Sequence, residues 1–223
     1  MQVDRTTVKE KVSAEEAGEE LINAVIHALG WILSLYAVSL LIRASWGATT
    51  FNRLALSIYS ATLISVYSFS TLSHAIQDPR LKHRLRIWDQ AVVYFLIAGT
   101  YTPFLWPLLD QPLKLGCLVL IWLAAFTGFY LKVFHEHRIN NFKTQSYILL
   151  GWGPSLLICS TISTNCLAWV AAGGICYTAG TLFLIFDKRV RYFHAVWHAS
   201  VILGSASHFY AIYGFLIRPQ AGT

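Results

Sequence analysis

The chain has 223 residues, of which 56% are apolar and only 13% charged, and its mean hydropathy is +0.52. A soluble domain needs a polar surface and carries about a quarter charged residues, so this composition excludes an ordinary soluble globular protein and points to the bilayer as solvent. The net charge of +6 does not indicate nucleic acid, because the basic residues lie between apolar runs, where they set membrane topology.

In chain order, residues 1–20 hold six acidic and three basic residues and no apolar core, so they do not read as a cleavable signal peptide. Ser13-Ala-Glu-Glu16 has the spacing of a capping box and predicts a short helix that starts there and runs into the first span. Seven apolar runs follow, at roughly 21–43, 53–77, 88–108, 113–133, 145–163, 165–186 and 193–216. Each is near the ~20 residues that a bilayer core requires. Only the polar stretch Ser160 to Asn165 separates the fifth from the sixth. Fusing them gives a run of about 40 apolar residues, too long for one span even with tilt. The expected architecture is an all-α, seven-transmembrane bundle over 21–216, with a cytoplasmic segment at 1–20 and a short external tail at 217–223.

Charge fixes the orientation. Arg5, Lys9, Lys11, Arg80, Lys82, Arg84, Arg86, Lys132, Arg138, Lys143, Lys188, Arg189 and Arg191 all fall on one side, thirteen in number. The other side has four: Arg43, Arg53, Lys114 and Arg218. Positive charge marks the cytoplasm, so the N-terminus is expected inside and the C-terminus outside. Trp46 and Trp106 fall near the outer boundary and Trp88 and Trp197 near the inner one, as interfacial anchors or as packing between helices. Cys117, Cys159, Cys166 and Cys176 form no CxxC pair and read as free thiols.

Ionisable residues inside spans are rare and need a reason. Here they are His27, His74, Asp89, His194, His198 and His208. His194-Ala-Val-Trp-His198 places two imidazoles on one helix face, one turn apart. His74 closes the second span just before the basic residues, and Asp89 opens the third just after them. Topology therefore puts His74, Asp89, His194 and His198 in one layer near the cytoplasmic face, with His27 within about two helical turns of it. Three neutral histidines suit Zn2+ and leave a fourth tetrahedral position for water, which Asp89 is placed to orient or deprotonate. Ser70 lies one turn before His74 and faces the same way, either toward a substrate or carboxylate or as a small packing residue. His208 is about 15 Å beyond His198 along the helix and is expected to be a hydrogen-bonded interior residue. His135-Glu-His137 reads as a solvated loop, and His83 as an interfacial loop residue. Pro103, in Gly99-Thr-Tyr-Thr-Pro103, frees the Gly99 carbonyl and predicts a kink that can wall a pocket.

These residues resemble the progestin and adipoQ receptor family, specifically its bacterial hemolysin III branch. The matching segments are Glu20-Leu-Ile-Asn23 with His27, Ser70-Thr-Leu-Ser-His74, Asp89 with Leu96-Ile-Ala-Gly-Thr-Tyr-Thr-Pro103, and His194-Ala-Val-Trp-His198 with His208. The resemblance implies seven spans with a cytoplasmic N-terminus, zinc on His74, His194 and His198, and a zinc-bound water held by Asp89 with Ser70 in the same site. Asn23, His27, Tyr101 and His208 are the further pocket candidates. Position 73, often Tyr in relatives, is Ser here. The wider group includes alkaline ceramidases, which implies a zinc-dependent hydrolase acting on a membrane-lipid amide or ester. A membrane sensor or homeostasis protein with structural zinc is the alternative. A pore-forming cytolysin ranks below both, because seven apolar helices fold in the host bilayer and nothing here resembles a soluble-to-inserted toxin.

Overall fold

The computed structural model describes residues 5–46, 49–136 and 144–217. Among them the chain is all-helical: α1 Arg5–Ala44, α2 Thr50–Ala75, α3 Pro79–Leu105, α4 Pro112–Tyr130, α5 Thr144–Trp152, α6 Ser155–Ile158, α7 Thr164–Ile185 and α8 Phe193–Ile212. Six of the helices are long and apolar enough to cross a membrane. The four cysteines are free.

Local chemistry sets the boundaries. Thr49 and Ser163 cap α2 and α7 by accepting the amides of Asn52 and Cys166, both at 3.3 Å. Asp78 caps α3, its Oδ1 accepting the Leu81 amide at 2.8 Å, and Pro79 occupies the first helical position. This cap starts α3 nine residues before the apolar run at 88, so Arg80, Lys82, Arg84 and Arg86 are helical and not in a loop. His83 is accordingly an exposed helical residue. α1 is likewise longer than the capping-box reading allows: Ser13 lies inside a helix that starts at Arg5. At 40 residues it is about 60 Å long, twice the bilayer core. α4 continues as a π-helical turn, Leu131–Glu136, which carries His135; His137 lies outside the described residues.

The fifth apolar run departs most from expectation. It is not one helix but α5 and the four-residue α6, broken at Gly153-Pro154. Pro154 has no amide to donate to the Leu150 carbonyl, and its ring clashes with that carbonyl. Tyr101 spans the gap to α5 by donating its hydroxyl to the Gly151 carbonyl. Non-helical backbone at membrane depth is tolerated where protein covers it.

α3 is the most buried of the long helices and packs against α2, α4, α5 and α8; α1 pairs with α2 and α8, and α7 with α8. Tyr59, Leu63 and Val66 of α2 and Ala98, Phe104 and Leu105 of α3 form the centre of the core. Leu120, Leu123 and Phe126 of α4 and Leu182 and Ile185 of α7 point outward, as lipid-facing residues do. The helix interior at Pro103 is retained: Thr102 donates to the Ala98 carbonyl at 2.8 Å and accepts Trp122 Nε1 at 3.2 Å. Trp46 is largely exposed; Trp88 is partly exposed with Phe69 and Phe129 in ring contact, and Trp106 packs on the core.

Gly99 brings α2 and α3 together, because a Cβ there would overlap the Thr62 side chain. Gly99→Val is expected to destabilise the bundle by about 1–3 kcal/mol through overpacking. A lowered thermal unfolding midpoint in detergent would show this, and an unchanged midpoint would mean that the two helices separate freely.

Candidate metal centre

α2 ends in the turn that carries His74, and the Ile76 amide closes it on the Leu72 carbonyl at 3.1 Å. His194 and His198 sit in the first turns of α8. The turn between α7 and α8 passes through Tyr192 at φ 65°, the left-handed region that a side chain bearing a Cβ rarely adopts. This reversal sets Asp187 beside His194, Oδ2 to Nδ1 at 2.8 Å.

The structure brings the three histidines together. Their nearest ring nitrogens all lie within 4.8 Å of one another, and Nε2 of His74 and His198 are 3.1 Å apart. The ring centroids are 4.4 Å apart for His194 and His198, 4.9 Å for His74 and His198, and 5.3 Å for His74 and His194. Zn–N bonds of about 2.0–2.1 Å put tetrahedral ligand atoms roughly 3.3–3.4 Å apart. The His74–His198 spacing is close to that edge, and the His194 nitrogen lies within 4.8 Å of both. His74 and His198 are buried and His194 is half-buried, so the cluster is reached from the His194 side. Three convergent imidazoles from two helices are a donor set that fits zinc.

Asp89, in the third turn of α3, is at the same level. Ser73 Oγ approaches its Oδ2 at 3.4 Å while donating to the Ser70 carbonyl at 3.0 Å, and the buried Ser70 side chain lies near the Asp89 carboxyl. Ser70 therefore faces the site rather than a packing interface.

α1 supplies the rest of the surround. His27 is almost fully buried, its ring edge-on to His198 at 3.9 Å and stacked on His74 at 6.4 Å. Neither His27 nitrogen nor His198 Nδ1 has a hydrogen-bond partner. Glu20, on the α1 face shared with the buried Asn23 and with His27, places Oε2 3.0 Å from His74 Nδ1. Lys82 Nζ reaches the same oxygen at 3.0 Å, and Arg86 Nη2 reaches Oε1 at 2.5 Å.

Two of the further pocket candidates lie elsewhere. Tyr101 and His208 line a cavity of about 120 Å³ between α3, α5, α7 and α8, together with Leu96, Phe104, Tyr177 and Trp197. His208 donates Nε2–H to the Val170 carbonyl at 3.0 Å, as an interior residue should. Trp197 thus packs between helices and lines this cavity, whereas His194 and His198 do not. Asn23 and His27 stand on the α1 side of the cluster and not in the cavity.

Glu20, Ser73 and Asp187 are the residues that sequence reasoning did not single out for the site. The positions 20, 23 and 27 share one helical face, so a carboxylate at the head of an apolar run was a usable signal for Glu20. No comparable signal marks Asp187, whose place depends on the Tyr192 reversal.

Fold and cluster together define a multi-pass helical membrane protein with a buried histidine centre near one end of the bundle. The chain belongs to the haemolysin-III related family, whose model matches residues 16–209. It is 36% identical over 207 residues to Hemolysin-3 of Bacillus cereus, covering 91% of this chain and 94% of that protein. It is 33% identical over 204 residues to the Hemolysin-3 homolog of Bacillus subtilis (strain 168), covering 90% and 95%. The human monocyte to macrophage differentiation factor is 29% identical over 206 residues, covering 90% of this chain and 85% of that protein. Family and fold agree with a location in the cell membrane.

Proposed function

We propose that this protein is a zinc-dependent hydrolase of membrane lipid, acting on an amide or ester bond as ceramidases do. The observation that carries the reading is the convergence of His74, His194 and His198 beside Asp89. Zinc, if held by the three imidazoles, would supply Lewis-acid chemistry at a carbonyl and would lower the pKa of water. Asp89 accepts a proton from the attacking water and returns it to the leaving nitrogen or oxygen as the acyl bond breaks. The Ser70 and Ser73 hydroxyls hold the Asp89 carboxyl in place. The apolar cavity that Trp197 lines offers room for part of an acyl chain.

The same reading takes the domain at 21–216 as seven crossings, with α5 and α6 forming the fifth, the N-terminus cytoplasmic and 217–223 outside. The thirteen-to-four division of Lys and Arg supports it, since removing one crossing mixes the two groups. It puts the histidine centre near the cytoplasmic face.

A structural role for zinc is the second reading, favoured by the 3.1 Å contact of His74 with His198, which ties α2 to α8. One experiment separates them. Purified protein carrying one zinc is expected to hydrolyse ceramides or related lipids, and a chelator is expected to abolish turnover that added zinc restores. Bound zinc with no turnover across a broad lipid panel favours the structural role.

A further inference from the structure

We infer that Glu20 and Asp187 are positioning residues that fix the tautomers of His74 and His194, turning both Nε2 lone pairs to the shared centre; the inference rests on the zinc reading above. A neutral imidazole carries one N–H, and the nitrogen that holds it cannot bind a metal. Which nitrogen is protonated is set by the partner of the other one. His74 Nδ1 is 3.0 Å from Glu20 Oε2, and His194 Nδ1 is 2.8 Å from Asp187 Oδ2. A carboxylate only accepts, so each Nδ1 must donate, and each Nε2 is left as a lone pair. His74 Nε2 is 3.1 Å from His198 Nε2, and a ring nitrogen of His194 lies within 4.8 Å of the ligand nitrogens of the other two. The two pairs arise independently, one from α1 and one from the end of α7, yet they impose the same tautomer.

Glu20 is itself held. Arg86 Nη2 takes Oε1 at 2.5 Å, and Lys82 Nζ shares Oε2 at 3.0 Å. These two cations come from the first turns of α3, which the Asp78 cap placed in the helix. Both cations can only donate, so both carboxyl oxygens act as acceptors and are left few other orientations. His198 Nδ1 has no such partner, so the effect is confined to two of the three ligands.

The test uses the full chain in detergent. Zinc affinity is measured by chelator competition, and cobalt-substituted protein is examined for the visible bands of a tetrahedral site. Outer-sphere partners of this kind typically contribute 10–100-fold in metal affinity. E20Q presents an amide that can offer His74 an N–H and select the other tautomer, so a loss of about 10–100-fold with altered cobalt bands is expected. E20D keeps an acceptor and is expected to recover part of the loss. D187N serves as an independent variant should E20Q not fold, with the same expected direction and a smaller effect because His194 is more exposed. Folded E20Q or D187N with wild-type affinity and unchanged cobalt bands would overturn the assignment. Wild-type protein that binds no zinc would instead overturn the zinc reading, so the two failures are distinguishable.

Discussion

His198→Ala is expected to reduce bound zinc from about one ion per chain to nearly none and to bring lipid turnover down to the background rate. The reason is geometric. His198 is the most buried of the three histidines, and its Nε2 is 3.1 Å from that of His74. Its removal breaks this ligand edge, which is close to tetrahedral length, and leaves two imidazoles from different helices. Two ligands hold zinc far more weakly than three, and alanine brings no replacement donor. Elemental analysis of the purified variant gives the answer directly. His208→Ala is the matched control on the same helix: it lies about 15 Å further along and is expected to retain the metal. A His198→Ala protein that keeps its full zinc complement would show that the ion, if present, sits elsewhere.

Much of this centre is legible in the sequence, because depth in a membrane is a sequence property. His74 precedes one basic cluster, His194 follows another, and Asp89 opens the span after the first. Those positions require a common level once the spans are drawn. His27, expected within two turns of the layer, is in ring contact with His198. What stayed hidden depends on chain direction over short distances. Hydropathy averages across a window, so it reads 145–163 as one run and does not register that Pro154 removes a helix hydrogen bond. It also placed the start of α3 at the first apolar residue, whereas Asp78 and Pro79 start it earlier and carry Lys82 and Arg86 to Glu20. Ser73 looked like the loss of a tyrosine; in the fold it is buried and approaches the Asp89 carboxyl.

Asp89→Asn is expected to keep zinc and lose about 10²–10⁴-fold in turnover, the usual range for a general acid–base residue. Asp89 is outside the set of three convergent ligands, so exchanging one oxygen for an amide nitrogen leaves the metal cradle intact. The amide is nearly the same size as the carboxyl and can still meet the Ser70 and Ser73 hydroxyls, so the α2–α3 packing persists. What it lacks is the capacity to accept a proton from water. The loss is therefore expected in kcat with KM little changed, since nothing in the change touches an apolar chain. Full turnover in the zinc-loaded variant would remove Asp89 from the chemistry. Loss of zinc would make Asp89 a ligand. Only retained zinc with lost turnover joins the Asp89 carboxyl of α3 to the histidines of α2 and α8 in one reaction, and that combination is what a structural zinc site does not predict.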